Sequence, residues 1–190
     1  MLCLDKFINT YPDDGGCEEG PGYWSVATGA MFEALELLRS STGGVVHIYS
    51  HPLLLQMALY MPRTQIAGDF YINQGGASSI VHPDPDRLFR TGRRLRSSDI
   101  VSYAIATIRP DYVPNTLPAL LDEVELLKTP PAPPPIFRDT WLPDTRIMAA
   151  RKQAGSTGGL YLACIASDNG KSHSHNDTGS FWVYSNGLRC

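Results

Sequence analysis

The sequence predicts an α+β protein in two parts, helices first and strands after, and three observations carry that prediction. Apolar residues recur at three- and four-residue steps through the first two thirds of the chain. A proline tract, Thr129-Pro130-Pro131-Ala132-Pro133-Pro134-Pro135, then forbids both helix and central strand. Beyond it the runs are short and rich in branched and aromatic residues, with Ser185-Asn186-Gly187 as a hairpin turn.

The first strong helix spans residues 23–40, where Ala27, Ala30, Met31, Ala34, Leu35 and Leu38 form one apolar stripe and Gly43-Gly44 ends the run. A second starts at Pro52, a favoured first-turn residue, and runs until Pro62 interferes. Asp84-Pro85 opens a third, residues 98–108 make a fourth closed by Pro110, and residues 115–127 make a fifth. Helices joined by short turns predict an all-α layer over residues 1–128. Residues 129–138 read as a linker, and strands follow over 146–151, 159–167 and 180–184. Three strands and a hairpin with no return strand leave an open edge and cannot close a sandwich, so the chain is expected to be a piece of a larger protein. Its helices are expected to show one apolar flank to solvent, with poor solubility as the consequence.

Composition narrows the class. With 43% hydrophobic and 18% charged residues the chain is globular, and its formal net charge of −3 gives no global attraction for nucleic acid. The one basic cluster, Arg87, Arg90, Arg93, Arg94 and Arg96, spreads over more than one helical face and reads as a solvated surface. No window approaches the ~20 apolar residues of a membrane helix. Residues 1–11 lack the pattern of a signal peptide, so export would need a leader ahead of Met1. Cys3, Cys17, Cys164 and Cys190 stand too far apart for a zinc ribbon or a disulfide scaffold.

Two segments carry chemistry. Residues 13–24, DDGGCEEGPGYW, form an acidic glycine-rich loop ending in an aromatic pair at a helix start. Such a loop either lets backbone and phenol approach a ligand or caps a helix, with Tyr23 and Trp24 packed in the core; the residues alone favour the cap. In residues 172–181, SHSHNDTGSF, an extended backbone would put His173, His175 and Asp177 on one side. Imidazoles beside a carboxylate suit acid/base work or metal binding.

Together DGGCEEGPGYW and SHSHNDTGSFWVYSNG resemble the toroid motif and the β-sandwich opening of heparinase II/III-like polysaccharide lyases. Further agreement comes from Ile66-Ala67-Gly68-Asp69-Phe70 with Asn73, and from Trp141-Leu142-Pro143-Asp144 with Ala150-Arg151 and Ala154-Gly155-Ser156-Thr157. The resemblance implies an incomplete α/α toroid over 1–128 and the first strands of an antiparallel β-sandwich over 139–190. It implies β-elimination on an acidic, uronate-containing polysaccharide, by a periplasmic or secreted protein. Tyr23 then corresponds to the catalytic tyrosine and His173 to the active-site histidine of the sandwich, with Glu19, Trp24, Asp69 and Asn73 as substrate contacts. His175 corresponds to a ligand of a structural zinc found in some members, whose other ligands are expected beyond Cys190, and the chemistry itself requires no cofactor. Family members also carry an asparagine or histidine group on an earlier toroid helix, so this chain alone is expected to show little activity. Two rival readings stand beside the lyase. One is a non-catalytic carbohydrate-binding module stacking sugars on Tyr23, Trp24 and Trp182. The other is a metal-dependent hydrolase built on His173, His175 and Asp177.

Overall fold

A computed structural model describes residues 2–114, 116–130, 132–166, 170, 175–176 and 178–190. Seven helices precede a five-stranded sheet among these residues, in the α+β order that the periodicity predicts. The helices are α1 Leu2–Asn9, α2 Pro21–Trp24, α3 Thr28–Ser41, α4 Pro52–Thr64, α5 Pro85–Leu95, α6 Ser98–Ala106 and α7 Leu117–Lys128. A small antiparallel pair, β1 Gln65–Ala67 and β2 Phe70–Tyr71, interrupts them.

Helix α4 is the centre of the helical layer. His51 caps it by accepting from the Leu53 N–H, Pro52 starts it, and Leu54, Met57, Ala58, Tyr60 and Met61 are wholly buried. It outlasts Pro62 by two residues, since a proline in the last turn forfeits only one hydrogen bond. The single helix expected over 23–40 is instead two. The break at residues 25–27 coincides with the Ser25 carbonyl accepting from the Arg87 guanidinium at 2.9 Å, where an unbroken helix would offer it to Gly29. Asp84, Ser97 and Thr116 cap α5, α6 and α7 with their side chains.

The arginines of α5 correct the expectation of a solvated surface. Arg87, Arg90 and Arg94 turn inward: Arg87 and Arg90 share Glu33, Arg90 also meets Asp122 of α7 at 2.5 Å, and Arg94 grips Glu36 with two nitrogens at 2.6 and 2.7 Å. Arg90 is 8% exposed. These pairs fasten α5 to α3 and α7. Helix α7 nonetheless keeps Leu117, Leu120, Leu121, Val124 and Leu127 exposed, the apolar flank that the sequence predicts. Among the described residues no helix is long and apolar enough to cross a membrane.

The sheet is an antiparallel meander of β3 Asp139–Leu142, β4 Ile147–Arg151, β5 Leu160–Ile165, β6 Phe181–Ser185 and β7 Leu188–Arg189. A return strand does exist after the Asn-Gly turn: β7 pairs with β6, and Asn186 and Gly187 take the positive φ angles that a tight hairpin needs. Alternation puts Leu142, Ile147, Ala149, Tyr161, Ala163, Ile165 and Tyr184 into one core with the helices. The other face shows Trp141, Leu162 and Phe181 to solvent.

Arg151 ties the sheet to the helical layer. Its guanidinium donates to the carbonyls of Phe137 at 2.8 Å, Gln65 at 2.9 Å and Ile66 at 3.2 Å, and lies over the Tyr161 ring. Burial pulls its pKa below the ordinary value while the geometry satisfies its donors. The proline-rich stretch is held here as well, since the Arg151 N–H donates to the Arg138 carbonyl and the Gly155 N–H to that of Ile136.

Two predictions follow from these joints. Arg151→Met, similar in length but without donors, leaves three carbonyls unpaired and should lower stability to denaturant by about 2–5 kcal/mol; a loss below about 0.5 kcal/mol would mean that the joint is dispensable. For Glu36, burial raises the carboxyl's pKa, but the Arg94 hydrogen bonds and charge outweigh it and the net shift is below the ordinary 4.5. A depressed pKa contributes stability that is present above the unfolded value and lost as pH falls through the folded one. Glu36→Gln should therefore be less stable at neutral pH and should lose stability less steeply below pH 4.5 than the unaltered chain, as unfolding curves taken across that range would show.

Candidate functional site

The glycine-rich loop before α2 is fixed from two sides. The Asp14 carboxylate accepts from the N–H groups of Gly16 (2.8 Å), Asp144 (2.8 Å) and Thr145 (3.1 Å), and from the Thr145 hydroxyl (3.3 Å), while the Asp14 N–H donates to the Asp144 carboxylate at 3.1 Å. One acidic residue thus joins the loop to the β3–β4 turn. Gly15, at φ 76°, lies so close to α4 that a Cβ would stand 2.2 Å from the Gln56 carbonyl carbon. The Cys17 carbonyl accepts from the Tyr60 hydroxyl at 3.2 Å and from the Gln74 amide at 2.7 Å.

A second glycine-bearing loop, residues 73–78, lies against this one. Gly20 has no room for a Cβ because the Gln74 carbonyl would be 2.5 Å away, and Gly75 abuts the backbone of Glu18 and Glu19. The Tyr23 ring rests on Gly76, with its Cε2 3.4 Å from where a Cβ would be. Three residues earlier, Asn73 Oδ1 accepts from the Trp182 indole of β6 at 2.8 Å. Glu19, Tyr23 and Asn73 are therefore gathered on one pair of loops, and β6, the strand that follows the SHSHND segment, is tied to the same pair.

The aromatic pair Tyr23-Trp24 divides. Trp24 is 1% exposed, and its indole N–H donates to the Met57 carbonyl at 2.8 Å, which corrects its assignment as a substrate contact: it is a core residue pinning α2 to α4. A sugar-stacking surface cannot use it. Tyr23 is 44% exposed, and its hydroxyl has no hydrogen-bond partner among the described residues. It is the one exposed tyrosine of nine. The other phenols near the loop serve structure, as Tyr11 pairs with Thr28 at 2.8 Å and burial pushes Tyr11 and Tyr60 well above the ordinary value. Cys17 is buried as well, and burial raises its thiol to about 11.

Asp69 stands apart from this group. It sits at the β1–β2 turn with His82 Nε2 at 3.4 Å and the Arg109 guanidinium at 3.8 Å from its carboxylate. His173 and Asp177 lie outside the described residues. His175 is exposed, and no group of three or more His, Cys, Asp or Glu side chains able to hold a metal occurs among the described residues. Nothing in the described donor set fits a closed zinc site, so no role is derived through one. Sequence reasoning missed Asp14, Gln74, Gly76 and the bond from Trp182 to Asn73. The Asp-Asp-Gly-Gly pattern signals the first, as a carboxylate ahead of glycines commonly accepts from its own turn; the rest depend on contacts made far apart in sequence.

Neither the protein-family models nor the curated proteins contain a match to this chain.

The packing of the loop predicts an asymmetry between glycines. Gly15→Ala collides with the backbone of α4 and should cost several kcal/mol, about 3 or more, whereas Gly43→Ala, at φ 61° with open space around it, should cost only the ~1 kcal/mol of a left-handed alanine. Equal melting temperatures for the two variants would contradict the described loop.

Proposed function

We propose that this chain belongs to a polysaccharide lyase that cleaves a uronate-containing glycan by β-elimination, with Tyr23 delivering a proton to the departing oxygen. The observation that supports this most is the position of Tyr23. Its phenol is exposed and unpartnered among the described residues, on a loop held rigidly by Asp14, Gly15 and Trp24. The same loop pair binds Trp182 through Asn73, and Trp182 follows His173 by nine residues.

The chemistry asks for few groups. A base removes the proton at C5 beside the carboxylate, the electron pair forms the C4–C5 double bond, the C4–O bond breaks, and the departing oxygen takes a proton. A phenol can pass its proton to an oxygen that becomes basic as its bond to carbon breaks. His173 is proposed as its partner from the sheet side, and Glu19 and Asn73 as polar contacts to the glycan. Neutralising the uronate carboxylate requires a further polar group, the role that the Asn/His group of the family's earlier toroid helix would fill.

Removing the phenolic hydroxyl tests this. In the whole protein that carries this chain, Tyr23→Phe should reduce kcat by about 10²–10⁴-fold with KM little changed, measured by the ultraviolet absorbance of the unsaturated uronate product on several acidic polysaccharides. Near-normal elimination by Tyr23→Phe, or product without that absorbance, would rule the proposal out.

A further inference from the structure

A cavity of about 530 Å³ opens where α3 and α5 both end, lined by Arg39, Gly44, His47, Tyr49, Ser50, Arg93, Arg94, Leu95 and Arg96. Four arginines line it, and among the described residues no Asp or Glu does. Glu36 answers Arg94, with the Arg39 charge acting on it from further off, and Glu125 answers Arg93, both from outside the lining, which leaves Arg39 and Arg96 without a salt bridge among the described residues. The carbonyl ends of α3 and α5 offset part of this excess, about half a charge each. Roughly one positive charge is then left over, with His47 beside it.

Arg96 adds an independent sign. It ends α5 in the left-handed conformation, φ 55° and ψ 38°, where glycine is the usual residue and an arginine is strained. The strained residue holds a long cation at the cavity's edge. Tyr49 and Leu95 supply apolar wall, and the volume suits a small molecule rather than a lone ion.

We propose that this cavity binds a small metabolite through a phosphate or sulfate group, with Arg39 and Arg96 gripping the oxyanion and Tyr49 flanking the organic body. Guanidinium groups match the oxygens of both anions with paired, charge-assisted hydrogen bonds. The inference does not rest on the lyase proposal, because the Tyr23 loops contribute nothing to the lining.

Glucose 6-phosphate, glucose 6-sulfate and glucose, titrated calorimetrically into the full chain at low salt, test the idea. Saturable binding of either ester, with glucose inert, is the expected result, and the tighter ester identifies the anion. Arg39→Gln should weaken that binding at least about tenfold. Arg96→Gly should weaken it similarly while holding or raising the melting temperature, since glycine relieves the left-handed strain, so loss of binding there cannot be loss of fold. No saturable binding of either ester with Kd under about 10 mM, equal binding of glucose, or unchanged affinity in both variants would overturn the proposal.

Discussion

The Asp14 carboxylate is the interaction on which the arrangement of this molecule turns. By accepting three backbone N–H groups and a hydroxyl it fixes two turns at once: its own, through Gly16, and the β3–β4 turn, through Asp144 and Thr145. Charge-assisted bonds of this kind are stronger than neutral ones, and a backbone donor cannot rotate away. The sheet is thereby set against the loop, and the loop against α4 through Gly15. Arg151 repeats the logic with opposite sign, an ion whose partners are carbonyls instead of N–H groups. Neither joint relies on an opposite formal charge, so each holds the two layers with little dependence on salt.

Much of the secondary structure was legible because it rests on local rules. Helical period, prolines at first turns and the Asn-Gly hairpin each act within a few residues, and the elements at 52–64, 85–95, 98–106 and 117–128 follow them. The departures arise where a distant group intervenes. The helix over 23–40 breaks where Arg87 occupies the Ser25 carbonyl. The β1–β2 pair is too short to show a period, and β3, opened by the polar pair Asp139-Thr140, needed β4 as partner to be recognised. The candidate site was legible in the same proportion. The glycine loop stands out by composition, but which of two adjacent aromatics faces solvent is decided by where Met57 offers a carbonyl, and no local pattern contains that.

The arginine-rich stretch shows how one charge run is divided by helical geometry. Arg87, Arg90 and Arg94 are spaced by three and four residues, so they share a face, and that face meets Glu33, Glu36 and Asp122. Arg93 falls on another side, where Glu125 and the Phe89 ring receive it. Arg96 lies past the last helical residue, in the left-handed turn that ends α5. Composition alone gives five equivalent cations, whereas the fold makes Arg87, Arg90 and Arg94 fasteners between helices and sets Arg93, Arg94 and Arg96 along a cavity wall.

The same division governs the tyrosines and gives the lyase proposal its physical content. A phenol in the core is a poor proton donor to a substrate, because burial raises its pKa and a neighbour holds its hydroxyl, as with Tyr60 on Cys17 and the Tyr71–Tyr103 pair. A phenol on a mobile surface loop is accessible but badly aimed, and misplacement of a catalytic group by an ångström is costly. Tyr23 is neither buried nor carried on a loosely held backbone. Its ring is exposed, while its backbone belongs to a helix start anchored by Trp24 in the core and by the glycine packing of the loop before it. Rigid backbone beneath a hydroxyl with no partner among the described residues is what the proposed proton delivery to a departing oxygen asks for, and the burial of Trp24, which removes it from the surface, is what supplies that rigidity.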